Sequence, residues 1–116
     1  MIKYKLLGII DSLTSKQNKA WGIKYVSNNG SMINWNLANY TEVLIVGAKD
    51  NNIVSMTLDT SLIINNYTHY MFGSMVQQTG LVFYIEAKSD KLTPVWCFSN
   101  SNNSDLSGAV IYVYAR

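Results

Sequence analysis

The stretch Tyr40-Thr-Glu-Val-Leu-Ile-Val-Gly-Ala48 is the densest apolar run in the sequence. Residues 43–46 are consecutive apolar residues, so both faces of an extended segment at this position would be apolar. The run is short and rich in β-branched residues, which disfavours a helix and favours a strand. The sequence therefore predicts a strand with a second sheet on one face and a neighbouring subunit on the other.

The segment that follows this run predicts its pairing partner. Lys49-Asp-Asn-Asn52 is typical of a turn. Residues 53–59 then alternate between apolar and polar side chains, which is the pattern of a half-buried strand. Because the connection is so short, we predict that the two strands form a hairpin.

Short apolar segments recur along the chain at spacings of about 8–12 residues, as in antiparallel sandwiches and barrels. The only proline, Pro94, stands at the start of its predicted strand, where proline is tolerated. We predict one all-β domain over residues 1–116, with about eight short strands. Residues 1–20 either join the sheets or form a short stalk or oligomerisation segment. The remaining predicted strands are 21–26, 31–35, 80–88, 93–98 and 109–116, with weaker candidates at 61–64 and 69–76. Residues 4–10 are predicted to form either a strand or a short amphipathic segment.

Composition excludes several classes of protein. Charged residues make up 14% of the chain and the net charge is +2, which is too small for a nucleic-acid groove or a membrane surface. No segment is long enough to be a transmembrane helix, and the apolar run of residues 6–10 is too short for a signal peptide. One cysteine, Cys97, permits no intrachain disulfide.

Candidate catalytic residues are few. A nucleophilic triad would have to use His69, the single histidine, and no Gly-x-Ser-x-Gly sequence is present. Glu42 and Glu86 lie on predicted strands and could approach each other across a sheet, as a glycosidase acid pair requires. Solvated charges are the more ordinary interpretation of both, so we predict a protein that is not an enzyme. One histidine and one cysteine make a zinc site improbable, and we predict no metal and no cofactor.

Aromatic and amide side chains supply the candidate binding residues. Tyr112 and Tyr114 share a predicted strand face with Arg116, which fits a second core layer, a subunit interface or a surface that stacks on sugar rings. We take these three residues as a predicted oligomer interface. Asparagine amides both donate and accept hydrogen bonds, as saccharide recognition requires. The predicted ligand-binding residues, all in or beside predicted loops, are Tyr67, His69, Tyr70, Asn100, Asn102 and Asn103.

Two stretches stand out, Trp35-Asn-Leu-Ala-Asn-Tyr-Thr-Glu-Val-Leu-Ile-Val-Gly-Ala48 and the closing segment Gly108-Ala-Val-Ile-Tyr-Val-Tyr-Ala-Arg116. Both resemble the C-terminal receptor-binding domains of tail-fibre proteins from phages of Gram-positive bacteria. Asp11-Ser-Leu-Thr-Ser15 is faintly similar to the stalk that precedes such domains. The resemblance implies a jelly-roll-like β-sandwich that forms a homotrimer and recognises host cell-surface carbohydrate without catalysis. It also implies synthesis in the bacterial cytoplasm and a place on the virion tail.

Three functions therefore compete. The first is the receptor-binding protein that the resemblance implies. The second is a structural tail or baseplate assembly protein, whose aromatic faces bury against other phage proteins. The third is a small polysaccharide hydrolase that uses Glu42 and Glu86, or His69.

Overall fold

A computed structural model describes residues 20–64, 68–77, 79–100 and 105–116, where the alternating apolar segments form strands. One short helix, α1 (Thr60–Ile64), lies between the fourth and fifth strands. The strands are β1 (Gly22–Asn28), β2 (Ile33–Asn34), β3 (Glu42–Lys49), β4 (Asn52–Asp59), β5 (Thr68–Val76), β6 (Thr79–Ala87), β7 (Lys91–Ser99) and β8 (Val110–Ala115).

The strands form two four-stranded antiparallel sheets. Sheet A has the order β1-β8-β3-β4, and sheet B has the order β2-β7-β6-β5. The first strand pairs with the last and the second pairs with the seventh, so both ends of the described chain contribute to both sheets. The predicted all-β fold, an antiparallel, jelly-roll-like sandwich of about eight strands, is confirmed.

Strand β3, which contains the apolar run, lies inside sheet A between β8 and β4. Val43 and Ile45 point into the sandwich and are fully buried, whereas Leu44 and Val46 point outward and are half-buried. The predicted hairpin is confirmed, because β3 and β4 pair along their whole length. The second sheet thus covers one face of β3, and the subunit expected on its other face stays a prediction.

The hairpin turn shows why β3 and β4 hold one register. Lys49 pairs with Asn52, which leaves Asp50 and Asn51 as a two-residue turn with φ angles of 52° and 64°. Positive φ at both residues is the type I′ geometry, whose twist matches that of the strands, and aspartate and asparagine tolerate it better than most residues.

The core fills the space between the inward rows of the two sheets. Gly47 of β3 lies directly against the ring of Phe83 of β6, where a Cβ atom would come within 2.4 Å of the ring. Trp35 and Leu37, from the loop before β3, are also buried, and the Trp35 indole donates to the Lys88 carbonyl at 2.8 Å. Burying each large apolar side chain contributes about 1.5–3 kcal/mol.

The weak strand predicted at residues 61–64 is wrong, because this segment belongs to helix α1. Asp59 caps the helix: its Oδ1 accepts from the Ser61 backbone N–H at 2.9 Å and from the Ser61 hydroxyl at 2.7 Å. The Thr60 hydroxyl also donates to the Tyr40 carbonyl at 2.6 Å, which fixes the start of the helix. Five residues are too few for helical periodicity to be visible in the sequence.

The predicted position of Pro94 at a strand start is also wrong. Strand β7 begins at Lys91, so Pro94 is an interior residue of the strand. The pairing of β6 with β7 shifts between Tyr84 and Ile85, which leaves Val95 as the extra residue of a β-bulge. A bulge tolerates a neighbouring residue without a backbone N–H, which explains how proline is accommodated.

Some predictions fall on undescribed parts of the chain. The segment predicted at residues 4–10, and all of the possible stalk segment except Ala20, lie outside the described residues. Within the described part, no helix has the length and apolar character needed to cross a membrane.

Candidate functional site

Three aromatic rings from neighbouring strands overlap on the outer face of sheet B. The His69 and Tyr84 ring centroids are 5.5 Å apart with 13° between the ring planes. Those of Tyr84 and Trp96 are 5.9 Å apart with 11° between the planes. This offset parallel arrangement is favourable for aromatic pairs. We call these three residues the aromatic row, which crosses β5, β6 and β7.

The bulge in β7 places Trp96 in this row. Leu92 and Pro94 point into the core, so simple alternation would bury Trp96 as well. The extra residue Val95 changes the phase, so Trp96 points outward opposite Tyr84 and Cys97 points inward. Bulges often re-aim a side chain beside a functional site.

Charged side chains border one side of the row. Glu86, the partner of His69 in the strand register, has its Oε2 3.5 Å from His69 Nε2. The other oxygen of the same carboxylate lies 3.6 Å from Lys88 Nζ. These three polar side chains are partly exposed, so hydrogen-bond donors and acceptors lie beside the ring of His69.

Apolar side chains border the other side of the row. Val82 and Phe98 form the next cross-strand pair along the sheet, and both are half-buried on the outer face. Met71, opposite Tyr84, is 61% exposed. The site thus combines flat aromatic surface with ionic groups on one side and aliphatic groups on the other.

This arrangement can bind a saccharide by stacking and hydrogen bonding. Aromatic rings offer apolar surface to the C–H faces of sugar rings. Glu86 accepts hydrogen bonds from hydroxyl groups, and Lys88 donates to them. His69 presents a polarisable ring next to Glu86.

The structure does not provide the acid pair of the hydrolase hypothesis. The approach of Glu42 to Glu86 that this hypothesis requires is not present. Glu42 lies on β3 in sheet A, and Glu86 lies on the outer face of β6 in sheet B. Stacked sheets are about 10 Å apart, and the whole core separates Glu86 from the sheet that carries Glu42.

The predicted ligand-binding residues do not all come together. His69 belongs to the aromatic row, whereas the adjacent Tyr70 is half-buried and packs against the core. The Asn100 side chain accepts from the Gly80 N–H at 3.2 Å and from the Asn52 amide at 3.2 Å. Gly80 and Glu86 are six residues apart along β6, so Asn100 lies about 20 Å from His69. Tyr67, Asn102 and Asn103 lie outside the described residues.

The predicted oligomer-interface residues do share one region. Tyr112 and Tyr114 are half-buried on the outer face of sheet A, opposite Val46 and Leu44. Arg116 lies beyond the end of β8, where its guanidinium is 3.4 Å from Glu42 Oε1 and 4.2 Å from the centre of the Trp21 ring. Their role between subunits stays a prediction.

Sequence reasoning did not assign four residues of the site to ligand binding, although Glu86 was considered as a catalytic acid. The shared face of Tyr84, Glu86 and Lys88 was visible as alternation, but their proximity to His69 depends on the strand order of sheet B. Trp96 could not have been assigned to this face by alternation, because the bulge reverses its direction.

Cys97 is not available as a surface nucleophile. Its side chain is fully buried and donates to the Asp105 carbonyl at 3.2 Å. Burial raises the pKa of the Cys97 thiol, and the nearby Lys49 ammonium opposes this rise only in part. Elsewhere in the described ranges, no three side chains of His, Cys, Asp or Glu gather closely enough to hold a metal ion.

Comparisons of the chain with known protein families, curated proteins and solved structures find no match. The resemblance to phage tail-fibre domains therefore stays a prediction.

Proposed function

We propose that the protein is a non-catalytic carbohydrate-binding domain and that the aromatic row on sheet B is its binding surface. One observation carries this proposal: the rings of His69, Tyr84 and Trp96 overlap across three strands on an outer face. Ionic groups border the same rings.

The geometry suits an extended sugar chain better than a single sugar ring. The row runs across the strands with two ring-to-ring spacings of 5.5 Å and 5.9 Å. Because Tyr84 lies between the other two rings, a chain lying along the row would contact the ring edges and the faces of His69 and Trp96 that point away from Tyr84, while its hydroxyl groups meet Glu86 and Lys88. Binding would therefore depend on several contacts together.

The biological role follows from the resemblance. A tail-fibre receptor-binding domain recognises carbohydrate on the host cell surface, and a partly exposed aromatic row is suited to that task. The hydrolase alternative is weaker, because Glu42 and Glu86 lie in different sheets. The assembly-protein alternative draws support from a different surface, the outer face of sheet A.

Binding of the full chain to isolated Gram-positive cell walls and to a glycan array tests the proposal. We expect wild-type binding and a loss of about tenfold or more in Trp96→Ala, since a stacking surface and its contact with Tyr84 both disappear. Trp21→Ala is the matched control, because Trp21 stacks on Arg116 and lies outside sheet B.

Two results would contradict the proposal. One is wild-type protein that binds no glycan and no cell wall. The other is binding that Trp96→Ala leaves unchanged. Release of reducing sugar ends from bound polysaccharide by the wild type, above a heat-denatured sample, would overturn the non-catalytic part.

A further inference from the structure

We propose that the saccharide bound at the aromatic row is acidic, and that Lys88 and Lys91 bind its carboxylate or terminal phosphate group. This inference rests on the proposed function, because it assigns a ligand class to the same site. The observation that carries it is a pair of lysines beside the row on the outer face of sheet B. Of the two, Lys91 has no acidic partner among the described residues.

The two lysines lie opposite each other at the end of the β6–β7 hairpin. Their backbones pair, since the Lys88 N–H donates to the Lys91 carbonyl at 2.8 Å. The next pair along the hairpin, Ala87 and Leu92, points into the core and is fully buried. Because side chains alternate along a strand, both lysines project from the outer face, which carries the aromatic row.

Two ammonium groups in this position favour an anion between them. Directly opposite side chains on paired strands have Cβ atoms about 4.5–5.5 Å apart, and like charges in such positions repel each other. A carboxylate or phosphate relieves this repulsion, because its oxygens accept charge-assisted hydrogen bonds from both ammonium groups. The end of the hairpin is therefore complementary to an acidic group.

The acids nearby leave the charge of Lys91 uncompensated. The Lys88 ammonium is 3.6 Å from one oxygen of Glu86, whose other oxygen is 3.5 Å from His69 Nε2. Asp90 is an exposed residue of the hairpin turn, and among the described ion pairs none joins it to either lysine. Glu86 is thus shared between Lys88 and His69, and Lys91 supplies the positive charge that an acidic ligand meets.

The lysine pair is close enough to the rings for one ligand to contact both. His69 lies opposite Glu86, and Glu86 is two residues from Lys88 along the chain, a separation of about 7 Å. The Lys88 ammonium shortens this separation, because it lies beside the Glu86 carboxylate. A sugar that packs on His69 can therefore present an acidic substituent to the lysine pair.

Other ligand classes explain this arrangement less well. A neutral sugar gives Lys91 no opposite charge, and a cationic ligand would meet two ammonium groups. A nucleic acid also carries phosphate, but its binding depends on many bases, and the described outer face of sheet B has only these two lysines.

A glycan array that holds neutral and acidic glycans tests the inference with the full chain. We expect the glycans that bind to carry carboxylate or phosphate groups. Methyl esterification neutralises carboxylates and phosphatase removes terminal phosphates, so the two treatments distinguish the sources. The effective treatment should weaken binding about threefold to fivefold, as is usual for a partly exposed charge pair.

The array separates this inference from the proposed function. Binding to no glycan would overturn both. Binding that is confined to neutral glycans, or that neither treatment weakens, would overturn the acidic ligand and leave the carbohydrate-binding function in place.

Lys91→Met tests the assignment of the charge to one residue. Methionine keeps an unbranched apolar side chain and removes the ammonium, so binding of the acidic glycan should fall about threefold to fivefold, while binding of its neutralised form stays unchanged. Lys24→Met is the matched control, because Lys24 is an exposed lysine on β1 of sheet A. Equal preference for the acidic form in Lys91→Met and wild type would overturn the role of the lysine pair.

Discussion

The outer faces of the two sheets differ in what surrounds their tyrosines. On sheet B, Tyr84 lies between the rings of His69 and Trp96, and Glu86 with its ion pairs lies on the next row. On sheet A, Tyr112 lies between two valines, and the nearest charges stand at the end of the sheet.

This difference shows how one architecture presents two kinds of surface. In both sheets, inward rows fill a common core, and the outward rows are free to differ. Polar groups beside partly exposed rings suit a hydroxylated ligand, whereas uncharged aliphatic neighbours suit a surface from which water is expelled. The comparison therefore predicts that the two faces can be inactivated separately.

The largest expected effect comes from a substitution in the shared core, because destabilising the core weakens both outer faces together. Gly47→Val places a Cβ atom within 2.4 Å of the Phe83 ring, which forces the sheets apart. We expect a loss of about 1–3 kcal/mol in the free energy of unfolding, the usual cost of overpacking. The midpoint of urea unfolding measures it. Ala48→Val is the matched control, because Ala48 points to the outer face; an equal loss in both variants would contradict this account.

A pair of tyrosine substitutions tests whether the two outer faces act independently. Tyr84→Ala should weaken glycan binding about tenfold, about 1.4 kcal/mol, and leave self-association unchanged, because its ring contacts are confined to sheet B. Tyr112→Ala should weaken self-association and leave glycan binding unchanged. Cell-wall binding and sedimentation of both variants measure the two effects. If either variant lowered both properties, the two faces would not be independent surfaces.

The smallest expected effect concerns Asp59, at the charged end of sheet A. Hydrogen bonds from the Ser61 hydroxyl and the Ser61 N–H hold the pKa of the Asp59 carboxyl below its usual range. A carboxyl with a lower pKa in the folded state stabilises the protein above its unfolded pKa, and this contribution is lost as the pH falls through the folded pKa.

Asp59→Ala should therefore lower the melting temperature slightly at neutral pH, with a difference from wild type that vanishes in strong acid. Melting curves from neutral to acidic pH measure this dependence. Asp59→Asn is the control, because an asparagine caps a helix without a titrating charge. A difference between Asp59→Ala and wild type that is constant with pH would contradict the capping role.

The sequence predicts the strands well because alternation is local. The alternating residues of β4, β6 and β8 indicate directly which side chains are buried. The turn at Lys49-Asp-Asn-Asn52 is likewise visible in the sequence. The candidate site depends on information that no single segment contains. His69 meets Tyr84 only through the order of sheet B, and Trp96 joins them only through the bulge at Val95.

Helix α1 was not predicted from the sequence, for a related reason. Its start depends on the Thr60 hydroxyl, which donates to the Tyr40 carbonyl twenty residues earlier, and on the Asp59 cap. A segment of five residues has too little pattern of its own to indicate such a contact. The errors thus lie where a distant partner determines local structure.

The position of β8 has a consequence for how the protein is made. Strand β8 lies between β1 and β3, so among the described strands of sheet A β1 has no partner until residues 110–115 have left the ribosome. Strands β5, β6 and β7 are consecutive in the chain and paired in order, so sheet B can begin to assemble earlier. During synthesis, β1 therefore waits longer for its described partner than β5, β6 and β7 do for theirs, which is the interval when a chaperone would be most useful.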